Sequence, residues 1–502
     1  MVLSCAISLL TIRVGSENKL EAYKKLLREK GEKLEISEVA PPPVPAGENC
    51  ADAVKLAFGS IGMANVKVPG EMRMVAPGKA MVGWMQPMAS NTDFTNAWED
   101  LAAEGATFRP IIETLKQVFE RPKLDFGLDY KKGFSLLLPQ LASSKRAAQI
   151  LTSEAALDLH NGDTGAAATN IRVLLALVHG NHDEAIAISH LVRIAEVAIA
   201  EGATWELLQA TNATDQQLAE LQREWEQLEF IDSAEKAFLM ERAMMKSQIE
   251  KARVSSAQFD CVFSGYSGRH VSGGGSSSPS SSWPANLNEF VDDAKLASGK
   301  FMWRTSWNYS EEIHLLQADQ IVLEALRTMK TNQVLKPQSD AMKARLDTIG
   351  LTNVGEPFFD ALDIPDFRDI FTSEYMGSTV IKTLRTEASR RVVVAAVALK
   401  RFQLKHGKWP ESLEELVPEF FPAVPIDPYD GKPLRYHPNA DGTYLLYCVG
   451  PDGVDDGGAP ANISSSTGSV RYDWQNSKAQ DWVWPQPATE AEIKFFYDNP
   501  PK

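Results

Sequence analysis

Through most of the middle of the chain, apolar positions recur three and four residues apart, the spacing of helices that bury one face. This spacing predicts helices over 108–119, 133–156, 166–178, 183–200, 215–228 and 233–252. The breaks between them are glycine-centred: Asn161-Gly162-Asp163, Gly180-Asn181 and Glu201-Gly202. Glycine reaches the left-handed conformation that ends helices at little cost, so these read as helix-turn-helix joints of an antiparallel stack. The repeat spacing is too loose for a tetratricopeptide array. Nearer the start, Leu20, Tyr23, Leu26 and Leu27 give a helix over 17–33 that Gly31 ends, and 49–58 reads as a short helix. The helical pattern returns over 287–297 and 313–329.

After residue 378 the pattern changes character. Residues 379–404 form a long predicted helix whose 392–399 stretch is apolar almost all round, as for a helix buried on several sides. His406-Gly407 ends it, and Trp409-Pro410 prevents its resumption. Ser412, with Glu415 three residues on, predicts a capping box ahead of Leu416 and Val417. Prolines 418, 422, 425 and 428 give a rigid descent, and Asp430-Gly431 a turn. Strands follow over 434–437 and 443–449, joined across Asn439 to Gly442. The expected fold class is mainly α with a C-terminal α+β module: an antiparallel helical stack plus a long helix and a small antiparallel sheet.

Low-complexity stretches divide the chain. Pro41-Pro42-Pro43-Val44-Pro45 removes backbone donors and favours an extended spacer, with a proline-recognition ligand as the sharper reading. Gly273-Gly274-Gly275 and the serines to Ser282 bury too little apolar surface to offset their ordering entropy. Without a Lys or a flanking strand, they form a linker and not a phosphate cradle. The expected organisation is an apolar N-terminal segment (1–15), an irregular α+β region (16–91), a helical domain (92–272), a linker or loop (273–284), a helical continuation (285–378) and the C-terminal module (379–502).

Length and charge bound the function. At 502 residues the chain exceeds what one core usually organises, and two to four domains are expected. The balance of 51 basic against 66 acidic residues gives a net charge of −15, which disfavours nucleic acid and anionic headgroups as general partners. Cys5, Cys50, Cys261 and Cys448 lie far apart with no CxxC pair. They read as isolated packed thiols, with a metal site weakly supported and disulfides left open. Residues 1–14 are apolar but well short of the ~20 residues a spanning helix needs. A truncated membrane anchor, a buried element and a frayed end all fit them.

Two stretches imitate functional motifs. Gly180-Asn181-His182-Asp183, with Asp158, His160 and Asp163 upstream, resembles fragments of a metallophosphoesterase site. Such a site needs these groups to converge from separate elements on two metal ions. The flanks here are helical, and a helix turn containing His is the plainer account of His179, His182 and His190. A metal-dependent hydrolase using His160, Asp163, His182 and Asp183 stands as the alternative function. The aromatic run from Phe301 through Trp303, Arg304 and Trp307 to Tyr309 reads equally as an interface anchor or as core.

A more specific signal lies near the end. Gly407-Lys408-Trp409-Pro410-Glu411-Ser412-Leu413 leads into Leu416-Val417-Pro418. Asp427-Pro428-Tyr429-Asp430-Gly431-Lys432-Pro433-Leu434 and Gly450-Pro451-Asp452-Gly453 follow in order. This sequence of blocks resembles the soluble domain of the major pseudopilin of type II secretion, over about a fifth of the chain. The resemblance implies a Ca²⁺ site in the final acidic loop, formed by Asp452, Asp455, Asp456 and a later Asp481, with a solvated acidic turn as the bland reading. A Ser-rich stretch from Ser464 to Ser469 intervenes before Asp481, and the family's processed apolar helix does not stand before Thr379. Gly31-Glu32-Lys33-Leu34, the proline block and Asn49 also resemble a group of uncharacterised membrane-anchored bacterial envelope proteins that carry this module. What the resemblances imply is a non-enzymatic scaffold or interaction protein of the cell envelope, membrane-anchored with its body outside the cytoplasm and bound to protein partners. A cytoplasmic location is the alternative.

Overall fold

The computed structural model describes residues 2–63, 81–82, 98–264, 298, 300–349, 373–458, 463–464, 470–471 and 481–487. They are mainly helical, with a small three-stranded antiparallel sheet near the C-terminus. The predicted linker at 273–282, the helix at 287–297 and the serines at 465–469 lie outside the described residues.

The helices are α1 (Val2–Glu29), α2 (Ile36–Val39), α3 (Ala51–Met63), α4 (Trp98–Leu115), α5 (Gln140–His160), α6 (Thr164–Gly180), α7 (Ala187–Gln209), α8 (Asp215–Glu226), α9 (Ile231–Val254), α10 (Ser256–Ser264), α11 (Asn308–Asn332), α12 (Lys336–Thr348) and α13 (Ser373–His406). Helices α5, α6 and α7 pack on one another as the predicted stack, with α8 against α6. Their start signals are local. Asp163 caps α6 by accepting from Ala166 N at 2.9 Å, and Thr214 and Gln217 form a reciprocal capping box on α8.

Several boundary expectations change. The helix expected from residue 133 begins only at Gln140, behind a 3-10 turn over Tyr130–Ser135 in which Gly133 sits at φ 54°. Glu201-Gly202 is not a joint, because α7 runs straight through it to Gln209. A glycine inside a helix costs about 1 kcal/mol, which the burial of Trp205, Leu207 and Leu208 just beyond it readily exceeds. The capping box at Ser412 does not form either. Residues Leu413–Leu416 make a single 3-10 turn, Glu415 accepts from Glu411 N, and Ser412 donates to Glu414.

Helix α13 is 34 residues long and packs against α7, α8, α9 and α12. Its 392–399 stretch is buried throughout and shares one core with Leu174, Trp205, Leu221 and Trp225 of the stack. A second core joins α9, α11, α12 and the start of α13 around Phe238, Trp303, Leu326 and Val380. Helix α1 lies on α11, with Leu20 and Leu27 against Tyr309 and Leu316. Gly31, in the left-handed region at φ 81°, ends the turn that follows α1. Glu32 beyond it accepts from Arg242 Nη2 at 2.8 Å, Arg327 Nη1 at 2.5 Å and Gln320 Nε2 at 3.0 Å, which ties the first helix to α9 and α11.

The strands are β1 (Met81–Val82), β2 (Arg435–Pro438), β3 (Tyr444–Cys448), β4 (Ile463–Ser464), β5 (Val470–Arg471), β6 (Trp482–Val483) and β7 (Gln486–Pro487). The main sheet has the order β2-β3-β6, with Arg435 opposite Tyr447 and Cys448 opposite Trp482. Strand β1 pairs with β7, and β4 with β5. Within the aromatic run, Trp303 and Tyr309 are core, whereas Phe301 is exposed. Residues Trp303–Trp307 form a π-helical turn, in which the Trp303 carbonyl accepts from Asn308 N and Asn308 Nδ2 also donates to the Trp303 and Arg304 carbonyls. Cys50 and Cys448 are buried free thiols.

Candidate functional site

The acidic loop is held in place from both ends of the C-terminal segment. Beyond α13, Trp409 stacks edge-on to Tyr444 and donates Nε1 to Gly442 O at 2.7 Å. Tyr436 donates its hydroxyl to Pro410 O at 2.9 Å, so the Trp-Pro block and the hairpin form one unit. Beyond the loop, Trp484 N donates to Leu446 O, and Trp205 of α7 donates Nε1 to Pro485 O at 2.9 Å. The segment carrying Asp481 is thereby pinned to both the sheet and the helical stack.

Arg435, at the start of β2, connects the loop to the preceding turn. Its Nη1 lies 2.6 Å from Asp427 Oδ2, its Nη2 meets Asp430, and its Nε lies 3.2 Å from Asp455 Oδ2. These three carboxylates hold the guanidinium firmly charged. Asp427 is fully buried and also accepts from Tyr429 N at 2.8 Å and Val449 N at 2.7 Å.

The four predicted ligands divide unevenly. Asp452 closes its own turn by accepting from Val454 N at 3.0 Å. Asp455 accepts from the Tyr447 hydroxyl at 3.0 Å and from Gly457 N at 3.1 Å, besides its pairing with Arg435. Asp481 is 4% exposed, and its Oδ2 accepts from Asp456 N at 3.0 Å and Gly458 N at 2.7 Å. Its Oδ1 is buried and meets no hydrogen-bond partner among the described residues. Burial raises the Asp481 pKa and the nearby Asp455 and Asp456 charges add to this, against the two backbone donors. The loop needs glycine at 458: its φ is 75°, and a Cβ there would stand 2.8 Å from Leu445 Cδ2.

Among the described residues, no three His, Cys, Asp or Glu side chains are gathered as a metal-ligand group. The chemistry of the loop nevertheless suits a hard cation. Asp481 supplies a buried oxygen without a donor, Asp456 an exposed carboxylate, and the loop backbone further oxygens of the kind Ca²⁺ takes. Asp455 is already engaged by Arg435, and Asp452 by its own turn.

The comparisons with known proteins give no relative. No family model, curated protein or solved structure matches the chain.

The alternative cluster of His160, Asp163, His182 and Asp183 does not converge. His160 and Asp163 stand at one end of α6, and His182 and Asp183 follow its other end. The intervening 17 residues span roughly 25 Å, far more than a two-metal site allows. Asp163 is spent on capping, and Asp158 accepts from Asn170 Nδ2 at 2.8 Å. His182 is flanked by Asp183 at 3.0 Å and Asp232 at 3.3 Å, and Lys236 bridges both carboxylates. That group is a surface ion-pair network.

What the sequence concealed is a buried polar seam along α7. His190 lies with Nδ1 3.0 Å from Ser233 Oγ and Nε2 2.9 Å from Thr383 Oγ1. Burial chiefly, with Arg193 and His182 adding to it, lowers its pKa to about 3. Glu201 accepts from Ser389 of α13, and burial raises its pKa well above the ordinary value. On α13 the facing positions Thr379, Thr383, Thr386 and Ser389 are buried as well. Their helical spacing was a visible signal, but the same spacing describes an exposed polar face.

Proposed function

We propose that the chain is a non-enzymatic scaffold or interaction protein of the cell envelope, with a Ca²⁺-stabilised, pseudopilin-like C-terminal module. The observation that carries the calcium reading is the buried, unpartnered Oδ1 of Asp481 beside the Asp455–Asp456 loop. A cation there would offset the repulsion among these carboxylates and complete the coordination of a buried oxygen. The order of long helix, Trp-Pro block, hairpin and acidic loop supports the likeness to pseudopilins. Because α13 is built into the stack, a load on the module would pass directly to the helical body, as suits a scaffold.

The helical body is the proposed surface for protein partners, and the first turns of α1 the proposed membrane attachment. Helix α1 runs unbroken from its apolar start into the part clamped on α11, which favours a rigid link between the two. Among the described residues, no helix is long and apolar enough to cross a membrane. Attachment by α1 is therefore proposed as a surface contact or as part of a longer span.

Metal content of the purified native chain tests the reading against the hydrolase alternative. The scaffold reading expects bound calcium that is lost in Asp481→Asn and retained in the His182→Ala and Asp183→Ala variants. A bound transition metal lost in the latter pair would favour hydrolysis.

A further inference from the structure

Arg193 is 1% exposed, in the middle of the contact between α6, α7 and α9. Its Nε donates to Val178 O at 2.9 Å, and its guanidinium carbon lies 5.5 Å from the centre of the Phe230 ring. Its Nη1 and Nη2 have no hydrogen-bond partner among the described residues. Nor does any described carboxylate come within ion-pair distance of it, although several are near. Glu184 is occupied by Gln140 and Ser189, and Asp183 by Lys236 and His182.

A guanidinium with two unserved nitrogens in a dry interior is among the most costly arrangements a core can hold. Losing the proton does not relieve it: burial lowers the Arg193 pKa only to about 10, so the group is charged at neutral pH. The nearest carboxylates, Glu196, Asp183 and Glu184, act on it only from beyond ion-pair distance, which leaves Nη1 and Nη2 unserved. We infer that Arg193 binds a small monovalent anion of halide size inside the helical body, through Nη1 and Nη2.

A neighbouring carboxyl can join the donors. Glu196, one turn later, is fully buried and donates or accepts with Ser144; burial keeps it protonated up to a pH of about 7. Its Oε1 also lacks a partner, and a protonated carboxyl there can donate to an anion. Charge and donors together describe a site for a small anion.

The test exchanges the full-length protein into sodium gluconate and titrates chloride or bromide at constant ionic strength. The inference expects a melting temperature that rises with halide and saturates, and an anomalous bromide peak in crystals within hydrogen-bond distance of Arg193 Nη1 or Nη2. Arg193→Lys, which keeps the charge but loses the two-pronged donor, should remove the saturable response. If that variant does not fold, the bromide peak alone decides. Equal melting temperatures in gluconate and halide, or an ordered water with no anomalous signal beside the guanidinium, would overturn the inference. A halide response that persists in a folded Arg193→Lys variant would overturn it too.

Discussion

The Arg435 guanidinium meets the fully buried carboxylate of Asp427 at 2.6 Å, and through its Nε it also reaches Asp455 in the acidic loop. One cation thus fastens the turn before the hairpin to the loop after it. Removing one partner of a buried pair leaves the other charge uncompensated, typically at a cost of about 3 kcal/mol or more. Arg435→Gln should lower unfolding free energy by about 3 kcal/mol in denaturant titrations. Combining it with Asp427→Asn should recover part of that loss, because the fully buried charge is then gone and only the more exposed Asp430 and Asp455 lose a partner.

Glu32 performs the corresponding task at the other end. Burial alone would raise its pKa, but hydrogen bonds from Arg327, Arg242 and Gln320 outweigh this and hold it at about 2. A carboxylate with a lowered folded pKa contributes stability that is complete above 4.5 and lost as pH falls toward 2. Glu32→Gln should therefore cost about 3 kcal/mol near neutral pH and progressively less in acid, as followed by denaturation at a series of pH values.

How much of this was legible follows from what each residue contacts. The stack was legible because residues such as Leu174, Leu221 and Trp225 bury one face of their own helix, and that face is written in local spacing. The hairpin was legible from its turn chemistry and alternation. The polar seam was not, because His190 and Glu201 look like surface residues until Thr383 and Ser389, nearly two hundred positions later, cover them. The same reason hid Arg435, whose partners lie before and after it in separate turns. The stop read at Gly202 failed because tertiary packing outweighed a local preference.

The seam makes a pH prediction. Glu201 has a raised folded pKa, so the folded chain retains a proton that the unfolded chain releases above 4.5. Stability on its account declines as pH rises above 4.5, by up to about 1.4 kcal/mol per pH unit. Glu201→Gln keeps the contact to Ser389 without the titration. Its gain over the parent should be larger at pH 8 than at pH 5, and an equal difference at both would place Glu201 outside a dry core.

Trp205 links the stack to the last described strand through Pro485 O. Trp205→Phe leaves that carbonyl without its donor and opens space in a filled core, together worth about 2 to 3 kcal/mol. Amide hydrogen exchange should accelerate across 482–487 in this variant more than in α5 or α6. Uniform acceleration would mean that the strand is held by the sheet alone.

The account turns on whether the acidic loop binds Ca²⁺, and the melting temperature of decalcified protein titrated with Ca²⁺ tests it most directly. Binding to the folded state alone stabilises by about 2.7 kcal/mol at a hundredfold excess over Kd. The expected result is a saturable rise that chelator reverses, that Mg²⁺ at the same concentration does not match, and that Asp481→Asn abolishes. An unchanged melting temperature in the parent protein, or the same rise in Asp481→Asn, would contradict the calcium site.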